Sequence, residues 1–160
     1  MSTIFVGVGG IGVARAPGEV LKTMALGSCV AVVLLDPQTH AVGTDHVALP
    51  DSSISADRAR ERPGYFADTG IPALLEAMSR IGARRDALIV KLVGGAAVLD
   101  PNSTFNIGKR NALAIKKILW GRQMGAVAEE MGGTISRTVT VDVDKGRVVI
   151  SSPGKPDWEI

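Results

Sequence analysis

Cys29 and His46 are the two residues whose side chains could carry out nucleophilic chemistry together, and Cys29 is the only cysteine in the chain. It stands at the start of a strongly apolar segment, directly after Gly27 and Ser28, which predict a tight bend. His46 lies on a second strand-like segment after one short turn. A thiol beside an imidazole can form a pair in which the histidine takes the thiol proton and the thiolate attacks a carbonyl carbon.

Both residues lie on a predicted β-hairpin. Residues 29–35 are typical of a buried strand, residues 36–40 are rich in turn formers, and residues 41–49 resume the strand pattern. Such a hairpin would place Cys29 directly opposite His46, with Cβ atoms about 5 Å apart. A slip of one residue would move the two side chains to opposite faces, so the pair depends on the register.

Each of these residues also has an ordinary structural interpretation. A cysteine often packs as a small buried hydrophobe, and a histidine near the end of a strand is often a hydrogen-bonded core residue. A redox-sensing thiol is a further interpretation, because a lone activated cysteine is prone to oxidation. From the residues alone these alternatives stay open.

Composition limits the classes of function. The chain has 160 residues, 46% hydrophobic and 21% charged, which predicts one globular domain over residues 1–160, with residues 1–15 as a flexible or edge segment. A net charge of +2 is too small to indicate a nucleic-acid partner. With one cysteine and two histidines we expect no metal site.

The cellular compartment is predicted from what the sequence lacks. No apolar run approaches the ~20 residues needed to cross a bilayer, and the N-terminus lacks the basic start of a signal peptide. A lone thiol suits a reducing compartment. The sequence therefore predicts a cytoplasmic protein that does not insert directly into a membrane.

Residues 7–12, Gly-Val-Gly-Gly-Ile-Gly, have the glycine spacing of a dinucleotide-binding loop. Such a loop must lead directly into a helix whose N-terminus binds the pyrophosphate. Pro17 and Gly18 would break a helix at this point. We therefore expect no nucleotide or other cofactor, and predict a flexible or edge-strand segment.

The remaining pattern predicts an α+β fold, with mostly antiparallel sheets packed with two main helices. Apolar residues at helical spacing over residues 71–81 predict a helix that ends at Gly82. A second helix is expected over about residues 108–124. Its predicted inward residues are Leu113, Ala114, Ile118 and Leu119. Residues 51–64 are polar and basic, and predict an exposed, mobile loop.

Short motifs occur in order along most of the chain. They are Thr23, residues 26–32 around Cys29, Asp36, residues 46–50, residues 91–96, residues 107–111, and residues 132–133 with Arg137. This ordered set resembles the CheD family of chemoreceptor glutamine deamidases. Thr44 and Asp45 depart from the family pattern, in which a small or apolar pair is more frequent. An acidic residue next to the base would be expected to raise the imidazole pKa.

The resemblance implies a cysteine-hydrolase fold shared with some toxin deamidases. It also implies deamidation of methyl-accepting chemotaxis receptors in their cytoplasmic helical region, and a CheC-type phosphatase as partner. The implied catalytic residues are Cys29, His46 and Thr23, whose hydroxyl would orient the imidazole. The residues expected to hold an oxyanion or to shape the site are Gly27, Ser28, Gly94 and Gly95.

A function of a different class stays open beside this one. The chain could be a non-catalytic or weakly catalytic binding module that regulates a CheC-type phosphatase or a receptor.

Overall fold

A computed structural model describes residues 2–99 and 105–160, and within them the chain forms two five-stranded sheets and three α-helices. The strands are β1 (Ser2–Phe5), β2 (Ile11–Ala14), β3 (Glu19–Leu26), β4 (Val30–Leu35), β5 (Val42–Val47), β6 (Ile89–Gly94), β7 (Ala126–Met131), β8 (Arg137–Asp142), β9 (Val148–Ser151) and β10 (Trp158–Glu159). The helices are α1 (Ala56–Glu61), α2 (Ala67–Arg80) and α3 (Ile107–Gly121).

The two sheets are both mixed. The first has the strand order β1-β3-β8-β9-β10 and the second has the order β2-β5-β4-β6-β7. Only the β1–β3 and β6–β7 pairs of the described strands are parallel. Mostly antiparallel sheets with two long helices, α2 and α3, confirm the predicted α+β class.

Strand β4 lies in the middle layer of the molecule. Alternate residues, Ala31, Val33 and Leu35, belong to the core between the two sheets. The residues between them, Val30, Val32 and Leu34, belong to a second core shared with α2 and α3. A strand covered on both faces needs apolar residues at every position, which explains why this segment does not alternate.

Two local predictions are wrong. The polar segment 51–64 forms α1 and short 3₁₀ turns, because the Ser55 hydroxyl accepts a hydrogen bond from the Arg58 N–H and caps the first turn. In α3 the side chain of Leu113 is 67% exposed, whereas Ile115 and Leu119 are buried. Ala114, Ile118 and Leu119 do pack inward as predicted, so the prediction is wrong for Leu113 alone.

Asp45 on β5 is a buried carboxyl group in the layer between the second sheet and α2. An added Cβ at Gly64 or Gly70 would collide with its carboxyl oxygens, so two glycines make room for this side chain. Both oxygens lack a hydrogen-bond partner among the described residues. Burial raises the pKa of Asp45 well above its usual value, because a carboxylate would lose its hydration there, and so favours the protonated carboxyl group.

This burial predicts a pH-dependent stability. The folded protein holds the Asp45 proton to a higher pH than the unfolded chain, which loses it above its ordinary pKa of about 4. The free energy of unfolding should therefore fall as the pH rises above about 4, and Asp45→Asn should remove this part of the loss. Melting temperatures of both proteins across this range would measure it.

Asp157→Asn, at an exposed position, provides the matched control and should melt in parallel with the wild type. Parallel curves for wild type and Asp45→Asn would contradict a buried, protonated Asp45.

Candidate active site

Cys29 lies immediately before β4 and is a half-buried free thiol. Its side chain packs against the core between the sheets. Burial raises the pKa of the Cys29 thiol because a thiolate would lose its hydration there. The thiol is therefore protonated at rest and needs a base before it can attack an electrophile.

His46 lies on the same face as Cys29, but not directly opposite it. The β4–β5 register pairs Ala31 with His46, so the predicted opposition of Cys29 and His46 is wrong by two residues. Because side chains alternate with a period of two, this shift keeps both residues on the face between the sheets. Diagonal neighbours of this kind are about 7–8 Å apart, within reach of an imidazole.

No hydrogen bond joins the Cys29 and His46 side chains in the described part of the chain. Catalytic hydrogen bonds are often long without substrate and shorten when it binds. The structure thus brings thiol and imidazole to one face without pairing them.

The His46 ring is held through one nitrogen. Its Nδ1 lies 3.2 Å from the Val6 carbonyl oxygen, and the residue is only 4% exposed. A carbonyl can only accept a hydrogen bond, so this contact favours the neutral form of the ring with its hydrogen on Nδ1, which leaves Nε2 as the basic nitrogen.

Burial lowers the pKa of His46; the Val6 hydrogen bond raises it, and the positive charge of Arg62 lowers it further. The net lowering favours a neutral imidazole that can accept a proton. The expectation that Asp45 raises this pKa is wrong: the pKa is lowered and Asp45 is not among its causes. Consecutive strand residues project to opposite faces, and burial favours the uncharged form of the Asp45 carboxyl group.

Thr23 is buried on β3, at 1% exposure. Leu21, two residues earlier on the same face, belongs to the core between the sheets, so Thr23 also faces that layer. Its hydroxyl has no hydrogen-bond partner among the described residues. The structure therefore places Thr23 in the same layer as His46 but does not hydrogen-bond it to the ring.

The bend at Gly27–Cys29 is held by hydrogen bonds to the three consecutive carbonyl groups of Gly27, Ser28 and Cys29. Their donors are, in order, the Ala96 N–H at 2.8 Å, the Asn111 side-chain amide at 2.9 Å and the Gly95 N–H at 2.9 Å. The Ser28 and Cys29 N–H groups donate to no acceptor within residues 2–99 and 105–160. These two donors remain available beside the thiol.

Gly94 and Gly95 shape the site through close backbone contact. Gly94 has φ +118°, and an added Cβ would collide with the Cys29 carbonyl oxygen. Gly95 has φ +61°, and its N–H is already used by that same oxygen. Both glycines therefore position Cys29. The Gly95 N–H is not free to bind an oxyanion, because it already donates to the Cys29 carbonyl.

Asn111 has a role that sequence reasoning missed. It is fully buried on α3, and its amide nitrogen also donates to the Ala48 carbonyl at 3.0 Å. One side chain thus ties the Cys29 bend to the chain just after His46. The available signal was an asparagine at an inward position of an amphipathic helix, where a polar group must find partners.

A cavity of about 350 Å³ adjoins the bend at Gly27 and Ser28. The first residues of α3, Ile107 and Gly108, line another side of it. Cys29 and His46 are not part of its described lining. The cavity therefore opens beside the nucleophile's bend, separate from the layer that holds the imidazole.

Residues 2–99 and 105–160 contain neither a candidate metal site nor a candidate membrane-spanning helix. They contain no group of three or more His, Cys, Asp or Glu side chains that could hold a metal ion. None of their helices is long and apolar enough to cross a membrane.

Comparison with known proteins covers the whole chain. Residues 48–152 match the family described as CheD chemotactic sensory transduction. A protein of Syntrophotalea carbinolica named "Probable chemoreceptor glutamine deamidase CheD" is 51% identical over 162 residues, with 100% of both chains covered. Proteins with the same name from Solibacter usitatus and Methanococcus maripaludis strain C6 are 46% and 42% identical, covering 97% and 89% of this chain and 92% and 90% of their own.

These matches confirm the resemblance seen in the ordered motifs. With similarity of this degree from end to end, the chain belongs to the CheD family.

Proposed function

We propose that this chain converts glutamines of methyl-accepting chemotaxis receptors to glutamate, with Cys29 as nucleophile and His46 as base. The relatives described above are named chemoreceptor glutamine deamidases. The observation that carries the proposal is the bend at Gly27–Cys29. All three carbonyls of this bend accept hydrogen bonds, while the N–H groups of Ser28 and Cys29 have no acceptor among the described residues. The Cys29 thiol lies on the sheet face that also carries the His46 imidazole.

In the first step, His46 Nε2 accepts the proton of Cys29 Sγ and the thiolate attacks the glutamine carboxamide carbon. A carbon–sulfur bond forms, and the carbonyl π electrons move onto oxygen. Burial raises the pKa of Cys29 and lowers the pKa of His46, so a resting ion pair is disfavoured. Proton transfer is therefore coupled to attack on bound substrate.

The oxyanion formed in this step needs donors that are already oriented. We assign this role to the Ser28 and Cys29 N–H groups, because donors held in place cost no reorganisation as charge develops. Their orientation is supported by the hydrogen bonds to the carbonyls of the same bend. Gly27, Gly94 and Gly95 act by shaping this bend.

The reaction is completed by three proton transfers through His46. The imidazolium protonates the departing nitrogen, the carbon–nitrogen bond breaks and ammonia leaves a thioester on Cys29. His46 then takes a proton from water, whose oxygen attacks the thioester carbon. The carbon–sulfur bond breaks, glutamate is released, and the proton returns to the Cys29 thiol.

Thr23 is the proposed third member of the site. A buried hydroxyl without a partner costs stability, roughly 1–3 kcal/mol, so it is a poor choice for packing alone. Its position in the layer that holds His46 makes it available to the imidazole when the ring becomes charged. We propose that it helps to orient or stabilise the ring during turnover.

The proposed substrate region is the cytoplasmic helical part of the receptors, and the proposed partner is a CheC-type phosphatase. An unpaired thiol that must stay reduced supports action in the cytoplasm. A redox-sensing role fits less well, because burial raises the Cys29 pKa, whereas redox sensors need a low one.

Cys29→Ala should lower deamidation at least about thousandfold, since no other group can form the thioester. His46→Gln should lose nearly as much, because the thiol then lacks its base. Mass spectrometry of a receptor fragment measures the reaction, since each Gln-to-Glu conversion adds about one mass unit.

Melting temperatures of both variants near the wild-type value would exclude unfolding as the cause. Full activity in Cys29→Ala would rule out the thiol mechanism. A wild-type protein that binds the fragment but leaves its mass unchanged would support the binding-module function instead.

Arg62→Gln should move the acid limb of kcat/KM to higher pH. The Arg62 charge lowers the His46 pKa, so its removal lets the ring protonate earlier as the pH falls. A protonated ring cannot act as base, and the activity is therefore lost at a higher pH. Arg60→Gln removes the same charge from an exposed site on α1 and should leave the profile in place.

An unchanged profile in Arg62→Gln would show that the acid limb does not report His46.

Thr23→Val should lower kcat by roughly tenfold or more, because valine keeps the shape but removes the hydroxyl. The melting temperature should stay equal or rise, since an unpartnered buried hydroxyl is lost. Thr23→Ser keeps the hydroxyl and should retain most of the activity. Equal rates for wild type and Thr23→Val would reduce Thr23 to a packing residue.

A further inference from the structure

The glycine-rich segment of residues 6–10 contacts His46 at three points. It crosses from β1 in the first sheet to β2 in the second. The His46 N–H donates to the Gly10 carbonyl at 3.0 Å, and the Gly9 N–H donates to the His46 carbonyl at 2.8 Å. The Val6 carbonyl accepts from the ring at Nδ1. Backbone and side chain of one histidine are thus held by the same five residues.

Two of these glycines are required by close contact. Gly9 has φ +75°, and an added Cβ would lie 2.9 Å from a ring carbon of Tyr65. At Gly10 an added Cβ would lie 2.9 Å from the Gly7 carbonyl oxygen, which accepts the Gly10 N–H at 2.8 Å. The glycines therefore allow a tight turn against His46.

The segment is anchored on both sides of this turn. The Val6 N–H donates to the Lys22 carbonyl at 2.9 Å and extends the β1–β3 pairing, which places Val6 beside Thr23. The Val8 carbonyl accepts from the Arg62 guanidinium at 2.7 Å. Because both ends are held, the Val6 carbonyl has a defined position relative to the imidazole.

We propose that residues 6–10 are a positioning element, the His46 clamp, which selects the Nδ1–H form of the ring and directs the basic Nε2 toward Cys29. This role rests on the proposed function, because it supplies the base for the thiol. At rest the Val6 carbonyl holds Nδ1, as the acidic group does in a Ser-His-Asp triad, and the Thr23 hydroxyl is left to act on the ring during turnover. Being uncharged, the Val6 carbonyl orients the ring without converting it to the imidazolium at rest.

The tautomer can be read without substrate, by ¹⁵N and ¹H NMR of the imidazole groups in the full chain. The chain has only two histidines, and His46→Gln assigns their signals. At a pH where the ring is neutral, we expect a protonated Nδ1 and an unprotonated Nε2 for His46. A protonated Nε2 in the wild type would overturn the proposal, whatever the activity.

Gly10→Ala tests the effect of the clamp on catalysis. Its Cβ should displace the Gly7–Gly10 turn, so we expect a mixture of ring tautomers and at least about a tenfold loss of kcat, with KM changed less than about twofold. Gly125→Ala is the matched control, because an added Cβ there has no neighbour within 4 Å and φ is not in the left-handed region. It should change neither measurement.

A Gly10→Ala protein with wild-type tautomer and wild-type kcat would also overturn the clamp. If Gly10→Ala does not fold, the NMR measurement of the His46 tautomer in the wild-type chain still tests the proposal. Failure of the clamp and failure of the proposed function are distinguishable: a chain without deamidase activity can still carry its hydrogen on Nδ1, and an active chain can carry it on Nε2.

Discussion

The hydrogen bonds to the carbonyls of Gly27, Ser28 and Cys29 are the constraint on which the rest of the site depends. Three consecutive peptide groups are oriented by donors from outside the bend, two from the chain after β6 and one from α3. Orienting a peptide carbonyl also orients the N–H of the next residue, since the peptide unit is planar. The requirement for glycine at position 94 and for a buried amide at position 111 both follow from this arrangement.

Burial determines the charge state of the titratable groups around β5. It raises the pKa of the Cys29 thiol and of the Asp45 carboxyl and lowers the pKa of the His46 ring, so it favours the uncharged form of all three groups. The alternation of strand residues keeps Asp45 in the helix layer, away from the ring that follows it in the sequence. The acidic residue at position 45, which departs from the family pattern, therefore affects the stability of the fold. The pKa of His46 depends instead on the burial of its ring, on the Val6 carbonyl and on the charge of Arg62.

The two strands of the hairpin, and the face that Cys29 and His46 share, were predictable from the sequence. The strands follow from the local apolar pattern, and the shared face follows from the period of two. The exact register was not predictable. It depends on a six-residue connection in which His40 adopts φ +66° and the Asp36 carboxylate accepts the Gln38 N–H, and turn-forming residues alone do not reveal which of them takes the left-handed conformation. Residues 51–64 formed a helix because Ser55 caps it, although the segment lacks an apolar face.

The glycine segment shows why a motif must be interpreted through its hydrogen bonds. A loop that binds phosphate leaves successive N–H groups free and leads into a helix. Here the Gly9 and Gly10 N–H groups donate within the protein, and the segment continues into strand β2. The group of this segment that contacts the His46 ring is the Val6 carbonyl, which can accept an imidazole N–H but cannot bind an anion. The same glycine spacing therefore serves close backbone approach to a histidine that lies 40 residues away in the sequence.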